Sequence, residues 1–339
     1  MIRYILKRLL ILIPIILAIS FIVFAIMSFS PGDPVRMMLG TNADPADAEA
    51  LREQLGLNDP LLVQYFNYIK NAVLHLDFVT SYTTKQPVFN DIIGRFPTTV
   101  TLTVGGIIIA VVVSLPIGII SAIKQYSLMD NITVFMSMAF TAIPNVWLGL
   151  MLMLLFSYTL GWLPSSGIDS PLGYILPMIT LAALAIALYI RMTRSSMLEV
   201  IRMDYVRTAK GKGIGNLKTT LHHEIRNALL PVITVIGMDF GYMLGGAIVI
   251  ENVFAVPGLG RLMVDAIRAK NTPVVLAGVI FTATVFSLVN LITDVVYAYI
   301  DPRIKAEYTA KSAKKLSIKK YLRDIEERER KEAELDAAG

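Results

Sequence analysis

Between positions 204 and 231 the chain reads DYVRTAKGKGIGNLKTTLHHEIRNALLP, a basic, helix-forming stretch set between two hydrophobic spans that are each long enough to cross a bilayer. Its three glycines beside two lysines raise the possibility of a phosphate cradle. That chemistry needs a Gly-rich loop that follows a strand and ends in Lys and Ser or Thr. GKGIG has no preceding strand, and no GxxxxGK[ST] occurs anywhere in the chain. Metal chemistry has no better footing: His75, His222 and His223 lack ligand spacing with carboxylates, and there is no cysteine. Adjacent helical residues such as the last two also point about 100° apart. Neither HExxH nor GxSxG is present to support hydrolysis. What remains is Asp239, the one acid in the middle of an apolar span. An ionised carboxylate there is costly unless it is paired, hydrated or protonated. It is expected to line a pathway and meet a substrate amine, or to bond a companion subunit. The pattern is one of positioning and motion, with no catalytic or metal-ligating residues expected.

The elements that hold these residues follow from the same stretch. Asp204 suits an N-cap, and YVRTAKGK then forms a short helix. Gly211, Gly213 and Gly215 are expected to end it, since glycine enters left-handed conformations without steric cost, and Pro231 falls where the next span begins. The result is a short helix tethered at both ends to membrane spans, so whatever grips it can tilt both. In the following span Gly237, Gly241 and Gly245 stand four apart on one face, which favours close approach of another helix.

Composition demands those spans. Of 339 residues 55% are apolar and 17% charged, with a mean hydropathy of +0.62, more apolar surface than a soluble domain of this length could bury. A bilayer core of ~30 Å needs about 20 apolar residues in a helix. Runs lacking Asp, Glu, Lys and Arg supply six candidates: residues 9–29, within 97–123, within 131–168, 170–190, 227–250 interrupted by Asp239, and 271–293. The third run exceeds one span, so its helix is expected to end near Tyr158, with residues 161–173 as a loop. Pro116 and Pro144 remove backbone donors inside spans and are expected to give gentle curvature.

Loops rich in cations resist translocation. With the N-terminus inside, 23 of the 31 Lys and Arg fall on inner segments, so both termini are expected to be cytoplasmic. That bias also accounts for the net charge of +5 without a nucleic-acid partner. The first span is too long for a secretory signal and reads as an uncleaved anchor, residues 1–29. Residues 30–96 read as an extracytoplasmic helical cap, with Asp44 and Asp47 at helix starts. Residues 97–304 read as a five-span core containing the loop 191–230, and residues 305–339 as a charged cytoplasmic tail with Glu326–Arg330 and Glu327–Lys331 pairs. Asn290 or Asp294 is expected to pair with Arg191 or Arg194.

At YVRTAKGKG and the RNALLP that follows, the chain resembles the coupling-loop signature of ABC-importer permeases, and more narrowly the first permease subunit of dipeptide, oligopeptide and nickel importers. SPGDP at 30–34, FPTTVTLT from 96, AIPNVWLG from 142, GGAIVIENVFAVPGLGRL from 245 and YAYIDPRI near the end of the sixth span extend the resemblance over residues 1–304. The chain departs from the general signature in carrying Arg207 near the start of the loop where a glutamate is usual. The resemblance implies an all-α type I importer permease of the bacterial or archaeal cell membrane, forming half of a pathway for peptides or, alternatively, nickel or another small solute. It implies a second permease, two ATPases that hold the ATP and Mg, an external substrate-binding protein and surrounding lipid. Asp204, Tyr205, Val206, Arg207, Thr208, Ala209, Lys210, Lys212 and Gly213 would form the ATPase-coupling helix, with Arg207, Lys210 and Lys212 facing an acidic rim. Asp239, Gly241 and Gly245 would line the pathway. An ion-coupled transporter would instead need paired intramembrane ionisable groups and inverted repeats, and the chain shows one such acid and no evident repeat.

Overall fold

A computed structural model describes residues 2–30, 32–40, 43–74 and 80–300. His75 and the expected charged tail lie outside them. The described residues up to Leu291 pack as one unit, and those from Ile292 on belong to a second. Among the described residues the architecture is all-α, with one isolated bridge between Thr80 and Pro87. Five helices are long and apolar enough to cross a membrane, and a sixth span exists if one bent pair is counted as one.

The first long helix, α1 (Ile2–Phe29), leaves Leu10, Ile13, Ile22 and Ile26 exposed, which only a hydrocarbon solvent tolerates. Three short helices follow: α2 (Pro34–Leu39), α3 (Pro45–Gln54) and α4 (Leu61–Leu74). Asp33 and Asp44 cap α2 and α3, each accepting a backbone N–H at 3.0 Å. Gly56, at φ +65°, turns the chain between α3 and α4. The Tyr65 hydroxyl of α4 donates to the Leu17 carbonyl of α1 at 2.8 Å, and Tyr68 donates to the Pro273 carbonyl at 3.2 Å. Burial opposes ionisation of Asp33, but the Arg52 guanidinium and the backbone N–H groups of Val35 and Arg36 outweigh it and hold the carboxyl below its usual range.

Next come α5 (Val88–Ile123), α6 (Leu128–Ala142) and α7 (Asn145–Leu152), the last extended by a π-helical turn over Met153–Thr159. That turn ends the third apolar run one residue past Tyr158. Pro116 sits inside α5 without ending it, whereas the expectation of gentle curvature fails at Pro144: α6 and the α7 segment bend by 103°. Ile143 (ψ 124°) and Pro144 (ψ 133°) are both extended. Proline drives its predecessor out of the helical region and offers no N–H of its own, so two successive residues leave the helix.

A 3₁₀ turn (Pro171–Tyr174) leads into α8 (Ile175–Ile201), followed by α9 (Asp204–Gly211) and α10 (Asn216–Thr219). A π turn (Thr220–Glu224) joins α10 to α11 (Ile225–Val253), and α12 (Leu259–Arg268) and α13 (Thr272–Ile300) complete the order. The core lies along α8, which buries Ala182, Ala183, Ala185 and Ala187 between α5 and α11. Small residues are what let membrane helices approach, where no hydrophobic drive separates protein from lipid. A Cβ at Gly118 would stand 2.8 Å from the Thr193 Cβ and 3.0 Å from the Ile190 carbonyl oxygen, so only glycine admits the α5–α8 contact.

One buried ion pair fastens this core. Arg194 of α8 donates through Nε and Nη2 to the Asp130 carboxylate at 2.6 and 2.8 Å, and Ser121 and the Tyr126 N–H add bonds of 2.5 and 2.9 Å. The partner of Arg194 is therefore Asp130, not Asn290 or Asp294 as expected. Arg191 has no ion pair or hydrogen bond among the described residues.

Breaking one side of such a pair strands a charge, so Asp130→Ala is expected to cost about 3 kcal/mol, whereas Asp130→Leu with Arg194→Leu recovers most of it. Thermal unfolding of the three proteins in detergent measures this, and equal destabilisation of the single and double variants would contradict it. Because the folded-state pKa of Asp33 is lowered, its stabilisation is complete above about pH 4 and fades as pH falls through the depressed value. Hydrogen exchange over residues 34–39, corrected for intrinsic rates, should show this loss, and Asp33→Asn should abolish it.

Candidate functional site

The tethered helix α9 divides its residues sharply. Val206 and Ala209 are buried, with Val206 in an apolar cluster with Ala122, Met197, Val200 and Ala228. That cluster draws on α5, α8 and α11, so α9 is plugged into the bundle end rather than hung from it. Asp204, Tyr205, Arg207, Thr208, Lys210 and Lys212 are exposed on the other side. The N-cap is Met203, without a side-chain bond; Asp204 lies instead in the first turn, 3.7 Å from Arg207. The expected Asp204 cap is thus corrected by one residue, and its charge acts on the helix dipole.

The helix ends as a Schellman motif: the Gly213 N–H bonds the Lys210 carbonyl at 3.0 Å and the Ile214 N–H bonds that of Ala209 at 3.3 Å. Gly213 carries φ +80°, whereas Gly211 is the last helical residue and Gly215 has φ −60°, so only one of the three glycines uses the left-handed region. Nothing lies within 4 Å of a Cβ built at Gly213. Its requirement is conformational, not steric.

Two polar ties bind α9 to the base of α11. Lys210 Nζ lies 3.3 Å from Glu224 Oε1, an ion pair without hydrogen-bond alignment, while Thr220 donates to Glu224 Oε2 at 2.7 Å. Asn227 Nδ2 donates to the Tyr205 hydroxyl at 3.0 Å. A third bond, Ser196 Oγ to the Ala228 carbonyl at 2.7 Å, joins α8 to α11 at the same level. Lys210 is therefore engaged within the chain, leaving Arg207 and Lys212 as the α9 cations turned outward.

Farther along the bundle a cavity of about 310 Å³ opens beside the break between α6 and α7, bordered by Thr141, Asn145, Arg191, Asp239 and Tyr242. Asp239 is fixed by Tyr189, which is fully buried and donates its hydroxyl to Oδ2 at 2.9 Å. The glycines of α11 are not equally close to a neighbouring helix. A Cβ at Gly241 would stand 2.8 Å from the Phe286 ring of α13, whereas one at Gly245 meets nothing within 4 Å.

A second polar knot escaped the sequence reading. Glu251, fully buried at the far end of α11, accepts from Thr99 Oγ1 at 2.5 Å and from the Arg261 N–H at 3.1 Å, and Thr99 accepts the Leu259 N–H at 2.9 Å. The carboxylate thus caps α12 and ties it to α5. A Cβ on Gly258 would lie 2.2 Å from the Glu251 Cδ. The signal was present in ENVFAVPGLG, an acid seven residues before the glycine that opens a short amphipathic helix.

Comparison with known proteins agrees with this geometry. Residues 114–306 match the family described as binding-protein-dependent transport system inner membrane component, and residues 1–103 match the corresponding N-terminal family. The chain is 42% identical over 305 residues to the glutathione transport system permease protein GsiC of Escherichia coli K12, covering 90% of this chain and 99% of that protein. It is 43% identical, with the same coverage, to GsiC of Salmonella typhimurium. Among solved structures, the inward-facing MetNI methionine ABC transporter aligns at a TM-score of 0.50 and 16% identity, covering 62% of this chain and 96% of that one. That last likeness is one of fold.

Lys210→Met leaves Glu224 buried without its cation, at an expected cost of about 2 kcal/mol given the half-exposed lysine, against under about 0.5 kcal/mol for Arg207→Ala on the open face. Thermal unfolding of the two variants checks the order, and a larger loss for Arg207→Ala would contradict it.

Proposed function

We propose a cargo and a mechanism from one premise: the chain belongs to the family of binding-protein-dependent transport system inner membrane components, the permease subunits of peptide- and nickel-type ABC importers. It is a membrane-embedded transport subunit. The cargo is a short peptide or peptide-like solute, in keeping with relatives named for glutathione, itself a tripeptide. This chain supplies one half of the pathway and a second permease the other. Two ATPases hydrolyse ATP with Mg on their own surfaces, an external binding protein delivers cargo, and both termini of this chain face the cytoplasm.

The observation that carries the mechanism is the two-sided character of α9. Its buried side is fastened to α5, α8 and α11, and its open side presents Tyr205, Arg207, Thr208 and Lys212. An ATPase surface with acidic groups beside an apolar groove fits that open side. Movement of the ATPase then reaches α8 and α11 together, because those helices share the Val206 cluster and the Ser196 bond. Asp239 and the cavity beside the α6–α7 break lie on the same two helices, so the tilt reshapes the cavity walls.

The test is uptake by the complete importer in proteoliposomes with its binding protein, comparing glutathione, a dipeptide, a longer peptide and nickel. ATP-dependent uptake of at least one peptide is expected, and uptake of nickel alone would overturn the cargo. In the same vesicles, Gly213→Val forces a β-branched residue into left-handed backbone, a strain of about 1–2 kcal/mol. It should cut uptake at least severalfold while ATP hydrolysis persists. Normal uptake in that variant would contradict the lever.

A further inference from the structure

We propose that the cavity beside the α6–α7 break is a cradle for a zwitterion, and that its ligand is a short peptide with both termini free. This rests on the peptide reading above and adds a site within the permease itself. Asp239 and Arg191 border the same cavity of about 310 Å³, yet no ion pair joins them. Tyr189 occupies only Oδ2 of Asp239, and among the described residues Oδ1 has no hydrogen bond and Arg191 no partner. Leu181, Leu184, Leu188 and Met243 line the same cavity.

Two opposite charges held apart, Asp239 half-buried and Arg191 exposed, are both matched by a ligand that carries an amine at one end and a carboxylate at the other. A ligand with a single charge would satisfy one wall and strand the other. The broken span adds polarity of the same kind. Thr141 at the end of α6 and Asn145 at the start of α7 both border the cavity, so the terminal carbonyls of one half-helix and the first N–H groups of the next flank the space. Ligand sites run from about 300 to 1,000 Å³, and this cavity lies at the small end, which favours a dipeptide or tripeptide over a longer chain. The Asp239 carboxylate receives the α-ammonium and the Arg191 guanidinium the terminal carboxylate.

The chain has no cysteine, so Tyr242→Cys places one thiol on the cavity wall. The complete importer, with cysteines removed from its other subunits, is held in nanodiscs without its binding protein, and maleimide alkylation is timed with Leu-Gly, N-acetyl-Leu-Gly or Leu-Gly amide present. Leu-Gly at millimolar concentration is expected to slow alkylation at least threefold, and the two capped analogues to have little effect. Asp239→Asn should erase the distinction between Leu-Gly and its acetylated form, and Arg191→Gln the distinction between Leu-Gly and its amide. Equal protection by all three probes, protection by none, or unchanged discrimination in both variants overturns the cradle. So does a structure of the complex in which the second permease already pairs Asp239 and Arg191. Uptake of Leu-Gly by the wild-type importer with its binding protein separates the two claims: uptake without protection removes the cradle and leaves the peptide reading, whereas absence of both removes the two together.

Discussion

The attachment of α9 to the bundle end is the constraint on which the proposed mechanism depends. A helix of eight residues is too short to be stable on its own in water, so its geometry is imposed by what it packs on. Val206 goes into a pocket built from α5, α8 and α11, Lys210 reaches the buried Glu224, and Tyr205 meets Asn227. Each tie is modest alone. Together they span both sides of the helix and leave it no independent orientation, so a force on the open face acts on membrane helices.

The membrane portion is arranged in keeping with the proposed transmission of that force. Its centre is α8, whose alanines and the facing Gly118 bring backbones close. Polar fasteners then hold both ends of the bundle: Arg194 with Asp130 at the α9 end, and Glu251 with Thr99 and the α12 amides at the other. Between those ends Thr103, Ser114 and Thr180 are buried, and Asp239 and Arg191 border the cavity beside the broken α6–α7 span. Fastened ends with an interrupted span between them suit a pathway wall that tilts as a body, in keeping with the proposed reshaping of the cavity.

Much of this was legible in the sequence, for reasons that differ by element. Lipid demands apolar helices, so five of the six runs coincide with single long helices and the third with the bent α6–α7 pair, whose end near Tyr158 falls where the π turn closes. Capping chemistry is local, so Asp44 was readable, while Asp204 missed because Met203 already leaves helical conformation one residue earlier. Proline announces that a helix is weakened but not by how much. Pro116 is absorbed within α5, and at Pro144 two extended residues in succession produce a corner. Pairings across long separations were not legible. Asp130 and Arg194 lie 64 residues apart, and nothing in either neighbourhood chooses that acid over Asp294. Glu251 appeared to end a span, and its role emerged only when the chain folded α12 back onto it.

In the proposed mechanism α9 and α11 move as one body when the partner ATPases close. With no native cysteine in this chain, nitroxides at Arg207→Cys and Met238→Cys in the reconstituted importer permit a direct reading by pulsed electron spin resonance, with and without ATP trapped on the partner subunits. The account predicts the same distance within this chain in both states, while the distance from Arg207→Cys to the matching position on the second permease changes. A nucleotide-dependent shift in the distance within this chain would show α9 moving apart from its span and would contradict the account.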